Sequence, residues 1–74
     1  MTFVAETFVF RGSSNLAEAS YDPEVEDLTI DFIDGDSYLY RNVPVSVYKA
    51  LCASPSPGSY FLRQIRGSYS YEKQ

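Results

Sequence analysis

The chain has no histidine and no tryptophan, and only one cysteine, Cys52, and one methionine. Without histidine, the commonest general base and the commonest metal ligand are missing, and with them every histidine-based triad. A single cysteine rules out an internal disulfide and any multi-cysteine metal site. No apolar run approaches the roughly 20 residues of a membrane span, and the N-terminus lacks the basic start of a signal peptide. These features lead to the expectation of a cytoplasmic protein. The next scarcity is local. No acidic residue lies between Ser37 and Tyr71, whereas eight of the ten lie between Glu18 and Asp36. Four of the six basic residues, Arg41, Lys49, Arg63 and Arg66, fall in the acid-free half. The net charge of −4 disfavours tight non-specific nucleic-acid binding, which rests on neutralising phosphates. It leaves room for a local basic face.

What is abundant is aromatic: seven tyrosines and five phenylalanines in 74 residues. A chain of this length forms one domain, and a core that small stabilises it by about 3–5 kcal/mol. Each ring can bury on the order of 150–250 Å², which helps. So would dimerisation.

The stretch Asp27–Pro44 organises the rest. Leu28, Ile30 and Phe32 alternate with Asp27, Thr29 and Asp31, the period of a half-buried strand. Asp34-Gly35 is a hairpin signal, and Tyr38 and Tyr40 lie two apart on the return strand. Two registers are open. A two-residue turn pairs Ile33 with Asp36 and places the tyrosines opposite the Leu28/Ile30/Phe32 face. A three-residue turn with Gly35 in the left-handed region pairs Phe32 with Asp36 and brings the tyrosines onto that face. A one-residue slip reverses every side chain. The bulged turn is preferred because it yields one apolar and one polar face.

Residues 1–12 read as an extended arm or edge strand, and 13–74 as the domain proper. Gly12-Ser13-Ser14-Asn15 is a turn. Leu16 to Tyr21 is a strand, with Leu16 on one parity and Ala17, Ala19 and Tyr21 on the other. Val43-Pro44 starts a helix with proline at its first position. Val47, Tyr48, Leu51 and Cys52 form its apolar stripe. Ser56 and Pro57 cap and open a second helix, with Phe61 and Ile65 toward the sheet and Gly67 as terminator. The tail Ser68–Tyr71 alternates and is a candidate extra strand. The expected fold is α+β: an antiparallel three- to four-stranded meander covered on one face by two short helices.

Candidate chemistry is sparse. Asp22, Glu24, Glu26 and Asp27 lack the spacing and glycine of a calcium loop, and Cys52 lies on an apolar helix face without a basic partner. No catalytic, cofactor or metal residue is assigned, and none of the constellations of an enzyme is present. The candidate ligand face is Tyr38, Tyr40, Arg41, Arg63, Arg66, Tyr69 and Tyr71: rings that bases can stack on and guanidinia that can meet phosphate. Each of these residues also has a plainer role, as core packing for the rings and as solvated flank or carboxylate pairing for the arginines.

The ordered set Ser13-Ser14-Asn15-Leu16, Tyr21-Asp22, Leu28/Ile30/Phe32 with Gly35, Tyr38-Leu39-Tyr40, Val43-Pro44, Tyr48, Leu51, Ser56-Pro57-Gly58, Tyr60-Phe61 and Ile65-Arg66-Gly67 resembles the KTSC domain. That module is named for its place at the C-terminus of some lysyl-tRNA synthetases and also occurs as short free-standing proteins. Tyr-x-Tyr is its hallmark. Leu62 departs from an asparagine frequent in the family, and Phe3–Phe10 precedes the usual start. The resemblance implies no established activity and suggests RNA as a partner through the family's attachment to a tRNA enzyme; together with the missing catalytic residues, it leads to a non-enzymatic binding module. Two function classes follow: single-stranded or looped RNA on the second-half face, or a protein-interaction or regulatory module. A homodimer using the arm at Phe3, Phe8 and Phe10 is expected in either case.

Overall fold

The structure, a computed structural model, describes residues 6–74. Met1 to Ala5, including Phe3 of the expected dimerising arm, lie outside the described residues. The elements are β1 (Glu6–Val9), β2 (Leu16–Asp22), β3 (Asp27–Phe32), β4 (Ser37–Tyr40), α1 (Val45–Ala53), α2 (Pro57–Tyr60), a π-helical turn (Phe61–Ile65) and β5 (Tyr71–Lys73). All five strands join one antiparallel sheet in sequence order. The fold is the expected α+β meander with helices on one face. The sheet is wider than expected because the N-terminal strand and the tail both pair into it.

The bulged hairpin is the one formed. Phe32 N–H donates to the Asp36 carbonyl at 2.8 Å, and Gly35 N–H donates to Phe32. Gly35 has φ +102°, a conformation that L side chains resist. Asp34 Oδ1 accepts from Asp36 N–H at 3.1 Å and closes the turn. Leu28 therefore faces Tyr40 and Ile30 faces Tyr38, and both tyrosines join the apolar side.

A second bulge corrects the reading of β2. The register shifts between Leu16 and Glu18, so the extra residue Ala17 returns Leu16, Ala19 and Tyr21 to the same face. All three are fully buried. A strict period of two cannot place them together, and a β-bulge can.

Pro44 also sits one position earlier than expected. It is the N-cap of α1, in extended conformation, and its carbonyl accepts from Val47 and Tyr48 N–H. Tyr48 and Leu51 are buried, and Val47 and Cys52 are half-buried against the core. The second helix is irregular. Ser56 makes no side-chain cap bond, and after Tyr60 the chain widens so that Arg66 N–H donates to the Phe61 carbonyl five residues back, at 2.9 Å. Phe61 and Ile65 still face the sheet, and Gly67 ends the turn at φ +84°. Between helix and sheet, the buried Val43 has both backbone groups satisfied. Its N–H donates to the Glu26 carbonyl, and its carbonyl accepts from the Tyr21 hydroxyl.

Gly58 has a purpose that local sequence does not reveal. A Cβ there would lie 2.5 Å from Asn15 Oδ1. Ser13 Oγ fixes that side chain by donating to Asn15 Oδ1 at 3.2 Å, while the same oxygen accepts from Leu16 N–H. Gly58 thus makes room for the Ser13–Asn15 turn. Alanine is the better helix former by about 1 kcal/mol, but overpacking costs about 1–3 kcal/mol. Gly58→Ala is therefore expected to lower stability by roughly 1 kcal/mol, and the double change with Asn15→Ala to recover it. Urea titrations of the four proteins check this. A Gly58→Ala protein more stable than the parent would refute the steric account.

Candidate aromatic cleft

Strand alternation and the π-helical turn place five rings around one depression. Phe32 ends β3, Tyr38 and Tyr40 come from β4, Tyr71 from β5 and Phe61 from the π-helical turn. Their contacts close on themselves. Phe32–Tyr38, Tyr38–Tyr71, Tyr71–Tyr40, Tyr40–Phe61 and Phe61–Phe32 have centroid separations of 5.7, 5.7, 5.6, 5.5 and 5.5 Å. Three of the five are edge-to-face, the arrangement favoured by ring quadrupoles. These rings and Asn15, Asp34, Asp36, Leu62 and Arg66 line a half-open cleft of about 300 Å³.

The cleft is graded from floor to rim. Tyr40 is 4% exposed and Phe61 2%, whereas Tyr71 is 57% exposed. Burial raises the Tyr40 phenol above its ordinary pKa of 10, and the Arg66 guanidinium pulls it partly back. The phenol is therefore neutral at pH 7 and can donate a hydrogen bond. On the rim, Asp36 Oδ1 lies 3.8 Å from Lys73 Nζ, and Arg66 stands at the mouth on the helical side. The chemistry on offer is stacking, one guanidinium and two carboxylates, with amide contacts from Asn15.

The structure brings together Tyr38, Tyr40, Tyr71 and Arg66 of the expected face. The other three lie elsewhere. Arg41 follows Tyr40 by one residue and so lies on the opposite side of the sheet. There its Nε and Nη2 donate to Glu72 Oε2 at 3.2 and 2.9 Å, and Nη1 is 3.7 Å from Asp27. Those bonds raise its pKa. Tyr69 is half-buried against the core, and Arg63 is exposed on the π-helical turn; neither lines the cleft. Phe32, Phe61 and Asn15 belong to it and were read only as core or turn. Period-two parity was the signal that separates Arg41 from its neighbours. The Asn15 contribution depends on its fit beside Gly58 and has no local signal.

Cys52 is half-buried. Burial raises its thiol pKa, while the adjacent Tyr48 hydroxyl lowers it in part. No helix among the described residues is long and apolar enough to cross a membrane.

Comparison with known proteins adds the ancestry. The KTSC domain family matches residues 12–69, which takes in β2 to the π-helical turn and begins after β1. The chain is 40% identical over 53 residues to a lysine–tRNA ligase of Nostoc sp., covering 72% of this chain and 9% of the ligase. It is 37% identical over 60 residues to that of Trichormus variabilis, covering 81% and 11%. It thus spans about a tenth of these enzymes' length, and the homology covers a short domain alone. An uncharacterised protein of Stutzerimonas stutzeri is 41% identical over 49 residues, 66% of this chain and 69% of that one. The crystal structure of a KTSC domain protein from Yersinia pestis superposes with a TM-score of 0.86 at 26% identity, covering 96% of this chain and 99% of the other. With both Tyr38-Leu39-Tyr40 and the fold in place, the chain belongs to the KTSC domain family.

Proposed function

We propose that this chain is a non-catalytic binding module whose aromatic cleft takes an unpaired base of a single-stranded or looped RNA. The observation that carries the reading is the closed set of five rings with Arg66 at its mouth. Unstacked bases lie against tyrosine rings and arginine planes, and a depression of about 300 Å³ suits one nucleotide better than a duplex groove. Tyr71, 57% exposed, is the accessible ring, and Arg63, on the π-helical turn outside the cleft lining, would serve as a further phosphate contact. The relatives named as lysine–tRNA ligases give independent support, since their name says that they handle an RNA. The module is non-catalytic in this reading because the chain has no histidine and the cleft offers no nucleophile beside a base.

The test is an anisotropy titration of a short single-stranded RNA at low and moderate salt. Affinity is expected to be modest. Tyr71→Ala should weaken it by about 1–3 kcal/mol, the usual loss for one stacked base. Arg66→Ala should make the salt slope shallower by about 0.7. Arg41→Ala should leave binding unchanged, because Arg41 lies on the other face in its own ion pairs. A second reading has one observation behind it: Asp34 and Asp36 on the rim suit a cationic side chain of a protein partner. No binding at low salt, or binding indifferent to Tyr71→Ala and Arg66→Ala, would put that protein-interaction reading first.

A further inference from the structure

The two edges of the sheet differ in kind. At the β5 edge, Glu72 is bonded to Arg41, and Lys73 lies 3.8 Å from Asp36. That strand is three residues long, with two of them charged. Short strands and charges are the ordinary protection of an edge. The β1 edge is four residues long with its one charge, Glu6, at its end; its centre, Thr7-Phe8-Val9, is uncharged, with Phe8 37% and Val9 52% exposed.

The hydrogen-bond pattern fixes which groups of β1 are unused. Phe10 N–H donates to the Ala17 carbonyl at 3.0 Å, and β1 pairs Phe8 with Ala19 and Glu6 with Tyr21. Bonded and non-bonded pairs alternate along an antiparallel ladder. Glu6, Phe8 and Phe10 therefore turn their backbone groups toward β2, and Thr7 and Val9 turn theirs to the free edge. Among the described residues no strand lies on that side.

We infer that β1 is a homodimer interface, pairing antiparallel with β1 of a second copy about a twofold axis through Phe8 to give one continuous ten-stranded sheet. The strand is complementary to itself in this register. Thr7 of each copy meets Val9 of the other, so the outward N–H and C=O groups of both residues are satisfied in four bonds. Phe8 meets Phe8 in a non-hydrogen-bonded pair, where side chains are closest. Both rings lie on the helix-facing side. There each copy has a shallow recess lined by Phe8, Tyr48 and Cys52, beside the Phe8–Phe10 edge contact at 5.1 Å. Charge agrees: Glu6 of one copy falls opposite Phe10 of the other, and the two Glu6 carboxylates stay apart. A closed twofold interface uses up the edge on both copies. The β1 residues lie outside the family match at 12–69.

The test uses the full chain and two substitutions. Proline at position 9 removes only an outward N–H, which an edge strand tolerates. Val9→Pro is expected to keep the far-ultraviolet circular dichroism of the parent and to melt at a lower temperature that no longer depends on protein concentration. Its sedimentation mass should fall from twice 8.4 kDa to the single-chain value. The second protein carries Phe8→Cys with Cys52→Ser. Opposed residues of a non-hydrogen-bonded pair have Cα atoms about 4.5 Å apart, within disulfide range, so mild oxidation should give a cross-linked dimer. Should Val9→Pro unfold, the cross-link decides. A parent chain that stays monomeric at high concentration, a dimer that survives Val9→Pro in a folded protein, or no cross-link would each overturn the interface.

Discussion

Phe61→Ala is expected to leave the protein at or near its unfolding midpoint at 25 °C. Phe61 is 2% exposed and is the one ring of the cleft contributed by the helical layer. It meets Phe32 at 73° and Tyr40 at 80°, each at 5.5 Å between centroids, and so joins the π-helical turn to β3 and β4. Truncating a buried phenylalanine to alanine costs about 3–5 kcal/mol. A domain of this size has about that much stability in total. The neighbouring Leu62 is 48% exposed, so Leu62→Ala should change stability by no more than about 0.5 kcal/mol. Urea titrations followed by circular dichroism measure both. A loss under about 1 kcal/mol for Phe61→Ala would mean that the helical layer docks on the sheet without it. The same substitution opens one wall of the cleft. A binding assay is therefore best made on Tyr71→Ala, whose side chain stands at the exposed rim.

The hairpin was legible in the sequence because two independent signals agreed. Asp34-Gly35 allowed a left-handed residue, and only the bulged register gave one apolar face. Tyr38 and Tyr40 followed from that register without further information. The β2 bulge was not legible. Leu16, Ala17, Ala19 and Tyr21 are all apolar, so the alternation does not say where the extra residue falls; Phe32 opposite Leu16 decides it from across the sheet. The π-helical turn was hidden for a similar reason, since Phe61 and Ile65 lie four apart and that spacing fits a regular helix equally well. The place of Arg41 was readable from strand parity. Charge proximity in sequence grouped it with Arg63 and Arg66, whereas strand parity after Tyr40 sends it to the other face, beside Asp27 and Glu72. The cleft as a whole depends on contacts between residues far apart in the chain, such as Phe32 with Phe61 and Asn15 with Gly58. No window of sequence contains them.

Alkaline pH above 10 should destabilise this protein progressively until it unfolds. Tyr21, Tyr40 and Tyr48 are almost entirely buried, and all three have pKa values raised above the ordinary 10. Burial is the first cause in each. For Tyr21, the carboxylates of Glu26, Asp22 and Glu6 add to it, and for Tyr48 the neighbouring Cys52 does. Tyr21 and Tyr48 stack at 4.8 Å and 9°, and the Tyr21 proton is committed to the Val43 carbonyl. An acid whose folded pKa is raised is protonated in both states below pH 10. There its contribution is fully present. Above pH 10 the unfolded chain releases protons that the folded chain retains, so stability falls as pH rises until the folded values are reached. Each such tyrosine removes about 1.4 kcal/mol per pH unit in that window. The three act in the same direction, and Tyr48, whose rise is the largest, goes on removing stability furthest above pH 10. The part of the absorbance rise at 295 nm that comes from Tyr21, Tyr40 and Tyr48 should therefore appear in one cooperative step that coincides with loss of circular dichroism. Tyr48→Phe should shift that step to higher pH, because it removes one of the three linked protons and no hydrogen bond to the backbone. A gradual absorbance rise to pH 12 with the fold intact would mean that the three phenols ionise in place, and that the stacked Tyr21–Tyr48 pair is open to water.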